Sequence, residues 1–143
     1  MKLKYFDRDE FYRNDIDWFP KMNQELLYKL DVLRSIWGAP IHISKNPLAI
    51  GRFKDECRPR SDHNYDRWGE VRAVDVFPGY KGSGIHFYKL AKDCLFHGIG
   101  YYPDWEMADL KGGFHLGIRY GKDHGTWGYV DGNMVSIEEA LNV

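Results

Sequence analysis

The sequence predicts one domain of α+β class, and three stretches carry that expectation. Residues 21–37 repeat apolar side chains at spacings of three and four, as an amphipathic helix does. Val71-Arg72-Ala73-Val74-Asp75-Val76-Phe77 is largely apolar and β-branched, as expected of a strand covered on both faces. Phe114-His115-Leu116-Gly117-Ile118-Arg119 alternates with period two. It turns Phe114, Leu116 and Ile118 to one side and His115, Gly117 and Arg119 to the other. The 143 residues suit a single core, and no repeat, linker or low-complexity tract divides them. A helical N-terminal part, 1–40, precedes the core of 41–143.

Taken in order, Asp7 caps a short helix over 7–13, which Trp18-Phe19-Pro20 ends. The helix within 21–37 turns Met22, Leu26, Leu27, Leu30, Leu33, Ile36 and Trp37 inward against a sheet, and Gly38 and Pro40 stop it. Ile41-His42-Ile43-Ser44 alternates as a short strand, and 45–59 is a charged loop without periodicity. A polar turn over 61–68 then leads into the Asp75 strand. Residues 79–84 form a glycine-rich loop, followed by a helix over 85–97 that faces Ile85, Tyr88, Ala91 and Leu95 inward and ends at Gly98. Ile99-Gly100-Tyr101-Tyr102 is a strand broken by Pro103, and 104–111 is a loop hinged on Gly112 and Gly113. Residues 120–125 join the His115 strand to a last strand over 126–130 as a hairpin connection, with a turn at 131–133. Ser136-Ile137-Glu138-Glu139 is a capping box that opens a terminal helix.

Composition narrows the function. A net charge of −1 supplies no field to recruit nucleic acid or an anionic membrane. No apolar run approaches the roughly 20 residues of a membrane span. The start, Met1-Lys2-Leu3-Lys4-Tyr5-Phe6-Asp7, lacks the apolar core of a signal peptide, so synthesis in a cytoplasm is expected. Cys57 and Cys94 make neither a disulfide framework nor a Cys-x-x-Cys clip and are expected as thiols. A monomer is expected.

The chemistry gathers around Asp75. An unpaired carboxylate buried inside an apolar strand costs several kcal/mol, so a cation must face it. His63 on the polar turn and His115 on the polar face of its strand complete a His/Asp/His set, which suits zinc with a fourth position left open for water. His42, His86, His97 and His124 read as satisfied or surface side chains. In zinc-water hydrolysis a second donor must meet the oxyanion, for which Arg119 or Arg52 are candidates, and a carboxylate must move the proton.

These residues also resemble a known family. Ser61-Asp62-His63, Gly69, Ala73-Val74-Asp75 and His115 are similar to the Ser-x-His, Gly-x-Ala-x-Asp and late-His motifs of the M15 zinc peptidases, which are D-alanyl-D-alanine carboxypeptidases and phage L-alanyl-D-glutamate endopeptidases. The match looks closest to small phage-associated members, through Ile50-Gly51-Arg52, Trp68 to Asp75, Gly98-Ile99-Gly100-Tyr101-Tyr102-Pro103, His115-Leu116 and Arg119, and runs from about Ile41 to the C-terminus. The resemblance implies a Hedgehog/DD-peptidase-like fold, a small antiparallel sheet flanked by helices. It implies His63, Asp75 and His115 as zinc ligands, Arg52 as a clamp for a substrate carboxylate, and peptidoglycan stem peptides as substrate. A phage-type wall hydrolase without a signal peptide would act at the cell wall or as part of a virion.

The sequence also departs from the family's pattern. The spacing from His63 to Asp75 is wider than usual, so 64–68 reads as an enlarged loop. Where the family often carries a basic carboxylate three residues before the last His, this chain has Gly112, and its His-x-Asp continuation is His115-Leu116-Gly117. A base must then come from Asp104, Glu106 or Asp109, with Glu106 preferred for its reach. A catalytically silent zinc-binding wall or virion domain is the alternative. A His-Asn nuclease, suggested by His63-Asn64, is opposed by the near-neutral charge and the missing basic aromatic face.

Overall fold

The computed structural model describes residues 2–79, 83–121 and 124–143. Its order is mixed: β1 (Tyr12–Arg13), β2 (Ile16–Asp17), α1 (Gln24–Trp37), β3 (Ile41–Ile43), α2 (Tyr65–Trp68), β4 (Ala73–Pro78), α3 (Gly84–Asp93), β5 (Gly98–Met107), β6 (Leu110–Gly117), β7 (Gly125–Val130), β8 (Asn133–Val135) and α4 (Ile137–Leu141). β1 and β2 form a small antiparallel ribbon. The other six strands make one sheet in the order β3-β4-β6-β5-β7-β8.

This larger sheet is mixed, where an antiparallel one was expected. β7 runs parallel to β5, with Gly100 opposite Trp127, and does not pair with β6. Both edges of β6 are already taken, by β4 and β5, so the expected hairpin between β6 and β7 has no free edge to form on. Parts of that connection (122–123) and of the loop at 79–84 (80–82) lie outside the described residues.

Local chemistry explains most boundaries. Asn23 caps α1 by accepting from the Leu26 N–H, and Gly38 ends it in the left-handed region at φ 72°. Ser136 caps α4, its hydroxyl accepting from the Glu139 N–H at 3.1 Å. The helix expected over 7–13 is shorter, a 3-10 turn at Arg8–Phe11, because Asn14 and Asp15 adopt positive φ and fold 12–17 into the β1–β2 hairpin. The helix expected to reach His97 stops at Asp93, and Leu95 rather than Gly98 takes the left-handed conformation, at φ 63°. Leu95, Ile85 and Ile36 are exposed, not inward. Residues 104–111 are not a loop. β5 continues to Met107, Ala108 and Asp109 make a tight turn, and β6 begins at Leu110, so Gly112 and Gly113 sit inside a strand rather than at a hinge.

The sheet has two unlike faces. Val74 and Val76 of β4, Phe114 and Leu116 of β6 and Ile99 of β5 join the core with Leu26, Leu27, Leu30 and Leu33 of α1. The alternation turns Asp75, His115, Gly117, Gly98, Gly100 and Tyr102 the other way. A one-residue slip of β6 would exchange these faces, so burial of Phe114 and Leu116 fixes where His115 points.

Candidate metal centre

Register builds the centre first. β4 and β6 pair antiparallel with Asp75 directly opposite His115, which brings the two side chains together on the polar face. His63 comes from outside the sheet, held by its backbone. Its carbonyl accepts from the Arg52 N–H at 2.9 Å, the Tyr65 N–H bonds back to Arg52 O, and the Arg72 N–H bonds to Asp62 O. The stretch 64–68, read from sequence as a widened loop, is one turn of helix, α2, capped by Asn64. That turn leads the chain from His63 back towards the sheet.

Three atoms converge. His63 Nε2 lies 3.2 Å from Asp75 Oδ1 and 3.2 Å from His115 Nδ1, and His115 Nδ1 lies 3.3 Å from Asp75 Oδ1. The opposite ring nitrogens assign the protons. His63 Nδ1 is 2.6 Å from the Ile50 carbonyl oxygen, which can only accept, so Nδ1 is the protonated nitrogen and Nε2 presents a lone pair. His115 stands between two carboxylates, Nε2 3.3 Å from Asp62 Oδ2 and Nδ1 3.3 Å from Asp75 Oδ1, and in the tautomer that donates from Nε2 to Asp62 its Nδ1 turns a lone pair inward. Two lone pairs and a carboxylate oxygen facing one point require either a shared proton or a cation. The group His63, Asp75 and His115 can hold a metal ion.

Electrostatics agree with the geometry. Burial alone would push the Asp75 carboxyl up, but His63 and His115 outweigh it and hold Asp75 below the ordinary carboxylate value. Burial holds the His63 imidazole below its usual value, against the pull of Asp75. For His115 the same burial is outweighed by hydrogen bonds to Asp62 and Asp75, and its pKa is raised.

Asp62 is the residue that sequence reasoning did not single out. It is 4% exposed, and burial would raise its pKa, yet His115 and Arg119 keep it low. Arg119 Nε donates to both of its oxygens, at 3.2 and 3.0 Å. Gly117 makes the room: a Cβ there would stand 2.9 Å from Asp62 Oδ2 and 3.2 Å from His115 Nε2. The carboxylate therefore occupies the space of the side chain that residue 117 lacks. Only the pairing of Ser-Asp-His with a distant glycine could have revealed it. Carboxylate partners of metal-binding imidazoles typically contribute about 10- to 100-fold in affinity. Asp62→Ala is expected to weaken metal binding by that factor in a competition titration while the fold persists.

The centre lies in an open cavity of about 960 Å³. Arg52, Arg58, Arg60 and Arg119 line one part of it, and Tyr102, Trp105, Trp127 and Tyr129 another. Arg52 faces Asp75 directly, with Nη2 3.4 Å from Oδ2 and Nε donating to Leu48 O at 2.7 Å. Arg52 is thus the cation that faces Asp75, beside the two imidazoles. Of the three acids weighed as a base, Asp104 lines this cavity, Glu106 lines an adjoining one with Arg52 and Asp75, and Asp109 lines a third beside Trp37 and Gly112. The remaining histidines lie apart: His97 Nδ1 accepts from the Arg119 N–H and its ring stacks on His124, while His42 and His86 are exposed.

No helix among the described residues is long and apolar enough to cross a membrane. Comparison of the chain with protein-family models, with curated proteins and with solved structures finds no match.

Proposed function

We propose that the protein is a zinc-dependent peptidase that cleaves peptidoglycan stem peptides, a phage-type wall hydrolase with the Hedgehog/DD-peptidase-like arrangement. The observation that carries this reading is the convergence of His63 Nε2, Asp75 Oδ1 and His115 Nδ1 at an open cavity. Tetrahedral zinc with nitrogen and oxygen donors at about 2.0–2.1 Å needs donors about 3.3 Å apart. The observed separations of 3.2, 3.2 and 3.3 Å fit that spacing without rearrangement. Three protein donors leave a fourth position, the arrangement of a catalytic rather than a structural zinc. When bound, zinc lowers the pKa of a water to about 7 and polarises a carbonyl.

The chain supplies the rest. Asp62 and Arg119 orient His115, Ile50 orients His63, and Arg52 steadies Asp75. Arg58 and Arg60 at the cavity offer charge to the carboxylates of a stem peptide, and the ring wall offers apolar contact. Three carboxylates line the cavity: Asp75 is a ligand and Asp62 is locked between His115 and Arg119. Asp104, exposed on the wall, is the acceptor for the proton that water gives up.

The test pairs the metal content of the purified protein with a digest of peptidoglycan. Stoichiometric zinc and new amino and carboxyl ends, without new reducing sugars, are expected. Reducing ends without amino groups would make it a glycosidase. The placement of Glu106 and Asp109 outside the metal cavity favours one second reading, a silent zinc-binding wall or virion domain. Zinc retained with no cleavage at all would decide for that domain.

A further inference from the structure

We infer that the Tyr102 hydroxyl is the hydrogen-bond donor that meets the carbonyl oxygen of the scissile peptide, an inference that rests on the peptidase reading above. Its position follows from register. Gly100 of β5 stands opposite His115 on one side and opposite Trp127 on the other. Because Gly100 has no side chain, the Trp127 indole lies over it: a Cβ there would be 2.5 Å from Nε1. That same Nε1 donates to the Tyr102 hydroxyl at 2.8 Å. The phenol oxygen therefore hangs above the residue beside His115, at the cavity lined by all three metal-binding side chains. The Trp127 ring itself is 5.1 Å from the His115 ring.

The phenol is also fixed and correctly polarised. Tyr102 is stacked between Trp105, at 4.0 Å and 4°, and Tyr129, at 5.6 Å and 5°. An indole N–H can only donate, so it fills a lone pair of the hydroxyl and leaves the hydroxyl hydrogen for another acceptor. Burial raises the phenol's pKa, which keeps that hydrogen in place at neutral pH. The two arginines that the sequence offers as this donor aim donors at the chain's own acceptors: Arg52 at Leu48 O and Asp75, Arg119 at Asp62.

In the hydrolysis, the oxygen of water bonds to the carbonyl carbon and the C–N bond breaks. One proton of that water ends on the departing amine. Tyr102 keeps its own proton throughout and contributes a hydrogen bond that strengthens as charge builds on the carbonyl oxygen.

Tyr102→Phe in the full zinc-loaded chain tests this, since it keeps the ring stack and removes the hydroxyl, which is both the proposed donor and the acceptor of the Trp127 indole N–H. The expected result is a fall in kcat of about 10²- to 10³-fold, the usual cost of one oxyanion donor, with KM within about twofold. Affinity for a phosphinic analogue of the scissile stem peptide should fall in parallel, while zinc affinity stays at the wild-type value and the melting temperature falls only by what one lost hydrogen bond, from the Trp127 indole, accounts for. Unchanged kcat and unchanged phosphinate affinity in a cleaving wild type would overturn the inference alone. So would a loss of activity traced wholly to lost zinc or a raised KM. A wild type that binds no zinc and cleaves nothing would overturn the peptidase reading, and the inference with it.

Discussion

Replacing His115 by alanine is expected to remove zinc from the purified protein and to abolish the thermal stabilisation that added zinc confers. His115 Nδ1 sits 3.2 Å from His63 Nε2 and 3.3 Å from Asp75 Oδ1, so its loss leaves two donors where three converged. Structural zinc in zinc-finger peptides, the nearest scale, binds with about 10–16 kcal/mol in total. One donor of three carries several kcal/mol of that, which is on the order of 10³-fold or more in affinity. The loss has a second part. The buried Asp62 would keep Arg119 but lose the imidazole that its other contact faces. The variant should therefore also melt below the zinc-free wild type. Metal analysis and chelator competition measure the first effect, thermal unfolding with and without zinc the second. His42→Ala, at an exposed strand position, should change neither. A His115→Ala protein that still carries one zinc would remove His115 from the ligand set.

Asp104→Asn is expected to keep the zinc and to lose about 10²- to 10⁴-fold in turnover, the usual contribution of a positioned proton acceptor. A base must lie within hydrogen-bond reach of its proton, directly or through one water, and the candidate is a carboxylate of the metal cavity that is neither a proposed ligand nor paired with Arg119. Asp104 is that carboxylate, held at its Oδ2 by the Asp131 N–H at 3.0 Å. Glu106 stands two residues on, at a cavity it shares with Ser44, Asn46 and Met107. Glu106→Gln is therefore expected to leave turnover close to wild type. The two variants differ only in which carboxylate is neutralised, and neither touches His63, Asp75 or His115. If Glu106→Gln is inactive and Asp104→Asn is not, the proton leaves through the adjoining cavity, past Arg52. The sequence favoured Glu106 because a loop over 104–111 could have folded across the metal. A strand and a tight turn cannot, since their backbone is committed to the β5–β6 ladder.

How much of this was legible in the chain depends on how local the determining physics is. Helix α1 and its glycine stop, the Asp75 strand, the alternation around His115 and the Ser136 cap of the last helix were readable, because each is set by side chains within a few residues. The burial of Asp75 was readable too, since an acid inside an apolar run must find a cation wherever the strand lies, and it found Arg52, with His63 and His115 beside it. Other features turn on distant contacts. β7 pairs parallel with β5 because β4 had already taken the second edge of β6. Residues 104–111 became a hairpin although Pro103 and a run of charge read as loop, because pairing with β6 outweighs local propensity.

The sequence by itself determined which residues could bind a metal. The zigzag of a strand places His115 on the face opposite Phe114 and Leu116, and the hydrophobic effect decides which of those faces is buried. Only the tertiary structure decided what surrounds them. Asp62 reaches His115 across 53 positions of sequence through the space left by Gly117, and Trp127 and Tyr102 meet above Gly100. A glycine in a sequence shows only that a side chain is missing. Which side chain fills the gap is set by strand register and by packing of segments far apart in the chain, and no local pattern encodes that.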